Sequence, residues 1–188
     1  MLNLTESFKL LKGMPLAEWH IVKSESDLGS LDFPYFLKAS ISGHKTEEKA
    51  IFKCNNLEQA RENLKQLRKK FPSETIIIQE SVDGIEMIIG TKQDQVFGKL
   101  LLIGFGGIHA ESTKDVQFRA LPLNKEEVEK MLKDLKNYKS LVTRKKYSID
   151  KLIKLALEIS KLNVKEADFN PVILNESEAV IVDSRILI

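Results

Sequence analysis

Three short β-rich runs, residues 75–79, 85–90 and 99–103, follow one another with only turn residues such as Asp83-Gly84 and Gln93-Asp94 between them. Parallel neighbours need a crossover of a dozen or more residues, so this spacing predicts an antiparallel meander. Upstream, residues 19–22, 35–38 and 50–54 also read as strands. Leu57, Ala60, Leu64 and Leu67 mark one face of a helix opened by Asn55, with Glu58 three positions on, and closed by Pro72. Leu4, Phe8 and Leu11 fall at helical spacing until Gly13 and Pro15 interrupt it. Downstream, Asn124 with Glu127 opens a second long helix. Ile149, Ile153, Leu157 and Ile159 stripe a third, and runs near 172–174 and 179–182 read as closing strands. Strands and helices mixed without βαβ alternation predict an α+β protein in two lobes, residues 1–82 and 83–188, with the boundary near 81–84. Ligands of such proteins bind in the cleft between lobes.

Composition narrows the partners. The 29 basic and 27 acidic side chains are interspersed and leave a net charge of +2, which gives no field that favours nucleic acid or an anionic membrane surface. Cys54 is the single cysteine, so neither an intramolecular disulfide nor a thiolate metal cage is possible, and a reducing cytoplasmic setting is expected. The first 14 residues lack the continuous apolar stretch of a leader or anchor, and no segment approaches the roughly 20 apolar residues of a spanning helix.

Four places carry candidate chemistry. Lys38 ends an apolar run and precedes the small residues Ala39, Ser40 and Ser42; a strand-end lysine can reach a phosphate, although in isolation it also reads as a solvated side chain. His44 follows Gly43 in a polar loop, where an imidazole can carry a phosphoryl group or have no role at all. Gly104, Gly106 and Gly107 follow a strand and can bring backbone amides close to an anion, or simply form a tight turn; they match neither a dinucleotide fingerprint nor a P-loop. Asp168 and Asn170 stand two apart before Pro171, and a hairpin would bring Asp183 beside them. Such hard oxygen donors suit Mg²⁺, or form a plain hairpin surface.

Three blocks together are more specific. They are Gly84-Ile-Glu86 through Gly90; Phe97-Gly98 through Gly107, Glu111 and the stretch from Lys114 through Arg119 to Pro122; and Glu166 to Pro171 with Val182-Asp183-Ser184-Arg185. In order and spacing across nearly the whole chain, the sequence resembles the β subunit of ADP-forming acyl-CoA synthetases, an ATP-grasp family related to the succinyl-CoA synthetase β subunit. The resemblance implies a small lobe closing over ATP or ADP on an antiparallel sheet. It implies that Lys38 contacts the phosphates, that Gln79, Glu80 and Val82 belong to the hinge that takes the adenine, and that Glu86 meets the ribose. Asn170 and Asp183, with Asp168 beside them, would hold Mg²⁺, and His44 would relay the phosphoryl group through phosphohistidine. The reaction implied is acyl-CoA + ADP + phosphate giving carboxylic acid + CoA + ATP, with CoA bound by an α-type partner in a hetero-oligomer. Where that family has a glycine pair after the histidine, this chain has Lys49-Ala50, and a later glycine-bearing stretch is replaced by residues 142–147. A non-catalytic or regulatory subunit is therefore the alternative expectation, and a carboxylate–amine ligase of the broader class is a third.

Overall fold

The structure, a computed structural model, describes residues 1–30, 32–42, 49–107, 114–143 and 147–188. They form two compact units, Met1–Lys12 with Ala17–Val82, and Gly13–Leu16 with Asp83–Ile188.

The first unit is built on a four-stranded antiparallel sheet of β1 (Trp19–Ile21), β2 (Tyr35–Ala39), β3 (Ile51–Cys54) and β4 (Ile76–Glu80), in the order β1-β4-β2-β3. Three consecutive isoleucines suit β4 to its place as one of the two inner strands. Ile76 and Ile78 join the core under helix α2 (Leu57–Lys70), while Ile77 is buried on the opposite face. Helix α2 presents Ala60, Leu64 and Leu67 to the sheet. Its cap is Asn56, which accepts from Gln59 N at 2.9 Å, not the expected Asn55; the Asn55 backbone N–H is taken by the Gln59 side chain instead. Helix α1 (Leu4–Leu10) starts in a capping box at Asn3 and is tied to the sheet where Thr5 N donates to Ser40 Oγ at 2.9 Å. The Tyr35 hydroxyl donates to Leu28 O at 2.8 Å, and burial pushes its pKa up to about 12. Cys54 is buried, and burial raises its thiol pKa, so it is a packing residue.

The second unit carries a larger antiparallel sheet of β5 (Ile85–Asp94), β6 (Gly98–Phe105), β7 (Val116–Ala120), β8 (Glu166–Leu174), β9 (Ala179–Ile181) and β10 (Arg185–Leu187). The order is β10-β8-β5-β6-β7, with β9 continuing the pairing along β8. The meander is therefore β5-β6-β7; the run at 75–79, expected as its first strand, belongs to the other sheet. Helices α3 (Lys125–Lys133), α4 (Tyr138–Thr143) and α5 (Ile149–Ser160) follow, and α3 and α5 pack against one face of the sheet. That face buries Met87, Ile89, Leu101, Ile103, Ala167 and Phe169. The Asn124 capping box forms as the spacing predicts. The stripe on α5 is Leu152, Ile153, Leu155, Ala156 and Ile159; Ile149 and Leu157, expected to be buried, are only half so. No described helix is long and apolar enough to cross a membrane.

Two close approaches fix the meander. A methyl group on Gly104 would lie 2.4 Å from Asp115 O, so β7 can come this near only to a glycine. The Asp115 carboxylate is buried and accepts from Lys136 N, Asn137 N and Asn137 Nδ2 at 2.8–3.0 Å, which ties the start of β7 to the turn between α3 and α4. Removing it leaves those donors unmet, so Asp115→Ala is expected to lower unfolding free energy by about 3 kcal/mol in urea titration, whereas Asp115→Asn is expected to retain part of it.

Candidate functional site

In the first unit the pairing register assembles one sheet face from residues far apart in sequence. Trp19 on β1 and Phe36 on β2 both stand opposite Gln79 on β4, and Lys53 on β3 stands opposite Phe36. Lys38 follows Phe36 by two residues and so shares its face. The ammonium groups of Lys38 and Lys53 lie 5.7 and 5.9 Å from the centroid of the same Phe36 ring, close enough for each to be held by the ring's negative face. Lys38 is 4% exposed, and Gln79 is 0% exposed with neither Oε1 nor Nε2 hydrogen-bonded. Glu80 directs its carboxylate to Glu18 N at 2.7 Å, so this side chain anchors β1, and Val82 is half-buried at the end of the unit. His44 lies outside the described residues. Lys49, the first described residue after it, has φ +49, the left-handed conformation that glycine adopts without strain.

In the second unit the site forms where β8 changes partners. On β5, Met87 and Ile89 are two residues apart; their β8 partners Val172 and Phe169 are three apart, so β8 carries one extra residue at Asn170-Pro171. A proline, which has no N–H to give the ladder, suits that bulge. On the other side of β8 the register does not slip: Ile181 pairs with Val172 and Arg185 with Asp168, which places Asp183 opposite Asn170. Val182 N donating to Pro171 O at 3.4 Å closes that junction.

The glycine turn after β6 comes to the same place. Gly106 N donates to Glu86 O at 2.8 Å, and a methyl group on Gly106 would lie 2.8 Å from Met87 O and 3.1 Å from Asn170 Oδ1. Gly107, at φ +69, leaves room for the Glu86 carboxylate, whose Oε2 would be 1.7 Å from an added Cβ. Glu86, Gly106, Gly107 and Asn170 thus come together, with Asp183 opposite Asn170 by register; Asp168, two residues further along β8, lines a hollow of about 190 Å³ with Gly90, Leu100, Leu102 and Phe118. Among the described residues no three His, Cys, Asp or Glu side chains gather at metal-binding spacing. Asp168, Asn170 and Asp183 supply two carboxylates and one amide oxygen, all hard donors, which fits an ion that completes its shell with phosphate oxygens and water. Arg185, opposite Asp168 and with a buried Nε that has no partner, was not singled out from the sequence, nor were Trp19, Phe36 and Lys53. The sequence signal for Arg185 was its place in the Val-Asp-x-Arg block; for the other three there was none, because their neighbourhood exists only once distant strands pair.

The chain belongs to the ATP-grasp family, whose domain it matches over residues 2–188. The predicted α+β ATP-grasp fold is borne out. More particularly, the chain is similar to ADP-forming acetate–CoA ligases. It is 28% identical to the β subunit of acetate–CoA ligase (ADP-forming) I of Pyrococcus furiosus, covering 97% of this chain and 90% of that subunit. It is 31% identical to acetate–CoA ligase (ADP-forming) II of Archaeoglobus fulgidus, covering 91% of this chain but only 26% of that longer polypeptide. The acetyl-coenzyme A synthetase 1 of Korarchaeum cryptofilum, solved with coenzyme A and Ca-AMPCP, superposes with a TM-score of 0.86 at 25% identity over 100% of this chain and 93% of that one.

The two glycines next to Glu86 differ in what a side chain would strike. Gly106→Ala meets a backbone carbonyl and is expected to cost more than about 2 kcal/mol in unfolding free energy. Gly107→Ala meets only the swinging end of Glu86, so its cost is expected to be the positive-φ penalty of about 1 kcal/mol. Equal losses in urea titration would contradict this geometry.

Proposed function

We infer that the chain is the nucleotide-binding β subunit of an ADP-forming acyl-CoA synthetase, turning over acyl-CoA, ADP and phosphate to carboxylic acid, CoA and ATP. The observation that carries the reading is the register that sets Asn170 opposite Asp183 beside Glu86 and the Gly106-Gly107 turn. Hard oxygen donors at a glycine turn are what a metal-bound nucleoside phosphate requires. That the Pyrococcus relative is the β subunit of an ADP-forming acetate–CoA ligase, and that the Korarchaeum protein binds coenzyme A and a nucleotide analogue, supports the same chemistry.

In this reading Asn170 and Asp183, with Asp168 beside them, hold Mg²⁺, which when bound neutralises charge on the phosphoryl oxygens. Lys38 binds nucleotide phosphate oxygens as a point charge, with its ammonium kept in place by the Phe36 ring. Glu86 accepts a hydrogen bond from the ribose, and the segment of Gln79, Glu80 and Val82 takes the base. The His44 imidazole accepts the phosphoryl group from a phosphohistidine of the partner and passes it to the β-phosphate of ADP, its ring nitrogen being the nucleophile in one transfer and the leaving group in the next. The likeness over 90% of a relative that is itself a β subunit supports a CoA-binding α-type partner that supplies the remaining chemistry, and the setting proposed for the complex is the cytoplasm.

A non-catalytic subunit is the second reading, motivated by Lys49-Ala50 in place of a glycine pair. Lys49 holds φ +49 all the same, so that position keeps the left-handed conformation without the glycine, and this favours the catalytic reading.

Calorimetric titration of the chain with ADP tests the proposal. Saturable binding is expected that weakens at least about tenfold without Mg²⁺ and by a similar factor in Asp183→Asn, the loss of one charged ligand. In the complex reconstituted with an α-type subunit, His44→Asn is expected to abolish ATP formation while leaving ADP binding within about twofold. ADP binding that ignores both Mg²⁺ and Asp183 would sink the assignment.

A further inference from the structure

We propose that the tip of the β5–β6 hairpin, Val96-Phe97, is a plug that docks this chain into an apolar, acid-rimmed socket on the α-type subunit, an inference that rests on the two-subunit reading above. Val96 is 82% exposed and Phe97 67%. Scattered apolar residues are normal on a surface, but here a β-branched and an aromatic side chain stand side by side in a tight turn, where glycine, asparagine, aspartate and serine usually serve. The turn is firmly made all the same. Asp94 pairs with Gly98, and Asp94 Oδ1 accepts from Val96 N at 2.8 Å and from Phe97 N at 2.9 Å. Those two N–H groups, that of Phe97 foremost, hold the Asp94 carboxyl below the usual carboxylate range, so the anion that makes the turn is present at neutral pH. Gly98 closes the turn at φ +73 with open space where a Cβ would lie, so glycine serves the backbone there. Apolar side chains held out on an already ordered backbone lose little freedom on binding, which suits an anchor.

The surroundings define the surface that receives them. Gln93 N donates to Lys165 O at 3.2 Å and Lys99 Nζ donates to Leu162 O, so the start of β8 and the chain leaving α5 lie at the same end of the sheet as the tip. Lys92, Lys161 and Lys165 are exposed there, and Glu166 is already answered by Lys92 at 3.9 Å. An apolar tip in a basic surround is complementary to an apolar socket with carboxylates at its rim. Area decides between a second copy and a different partner. The two side chains offer on the order of 250 Å², and two copies meeting tip to tip would bury roughly 500 Å², half of the ~1,000 Å² that a specific interface needs. A tip entering some other surface of a second copy repeats head to tail, as a ring or a filament. The tip is therefore one anchor within a larger contact, and the α-type subunit supplies the rest.

The test is the association of the chain with an α-type subunit, followed by biolayer interferometry. Phe97→Ser is expected to weaken it at least about tenfold and Val96→Ser about threefold, mostly through faster dissociation, while Phe97→Leu keeps most of the affinity. Each free variant is expected to unfold at the same urea concentration as wild type and to bind ADP as wild type does. Lys161→Glu combined with Lys165→Glu is expected to slow association several-fold, an effect that fades as salt rises. Association unchanged in Phe97→Ser overturns the inference and leaves the nucleotide site standing. Self-association of the chain, or its binding to phosphatidylglycerol vesicles, that is lost in Phe97→Ser overturns it in favour of a second copy or a lipid surface. Wild type that does not bind the α-type subunit overturns it together with the two-subunit reading. Wild type that associates through Phe97 but binds no ADP supports the plug and strikes the nucleotide reading alone.

Discussion

The second unit depends on strand β8, which pairs on one side with β5 and on the other with β9 and then β10. Against β5 it must absorb one extra residue; against β9 and β10 it keeps a single register throughout. Only one stretch can satisfy both, and it is Asn170-Pro171, where the missing proline N–H costs the ladder nothing. The bulge sets Asn170 beside the glycine turn and Asp183 across from it. A one-residue slip on either side would turn Asp168 or Asp183 to the opposite face. Strand pairing, rather than any single side-chain contact, therefore positions the candidate metal ligands.

How much of this was legible in sequence depended on how local the cause was. The Asn124 capping box and the apolar face of α2 are set within one or two turns and came out as the spacing predicts. The choice between Asn55 and Asn56 could not be read from spacing, because two adjacent asparagines offer the same cap and Gln59 decides between them. Strand β5 was expected to end at Gly90 but runs to Asp94, because Thr91 to Asp94 stay paired with β6 although their own side chains are polar. Strands β7 and β10 went unread as strands because each is short, although Val116, Phe118 and Ala120 alternate with Gln117 and Arg119 as in a half-buried strand. The row of Trp19, Gln79 and Phe36 was invisible for a stronger reason, since it joins positions up to 60 residues apart through pairing that no local pattern encodes.

The glycines show the same division. A cluster at 104–107 could be seen, but not what each member does. Gly104 admits β7, Gly106 admits Asn170, and Gly107 admits Glu86. At position 49, where the resemblance leads to the expectation of a glycine, a lysine holds the left-handed conformation; the rest of that stretch, residues 43–48, lies outside the described residues.

The outer strands of the first unit bear on how such a chain can assemble. Strand β1 has three residues and β3 has four, and β3 carries Lys53 on one face. An incoming strand would find too few free backbone groups to pair with and an ammonium to desolvate, so these edges resist extension by another chain. Any complex built on this unit has to be held through side-chain surfaces, which keeps the inner strand β4 and the residues arrayed along it out of the reach of sheet exchange.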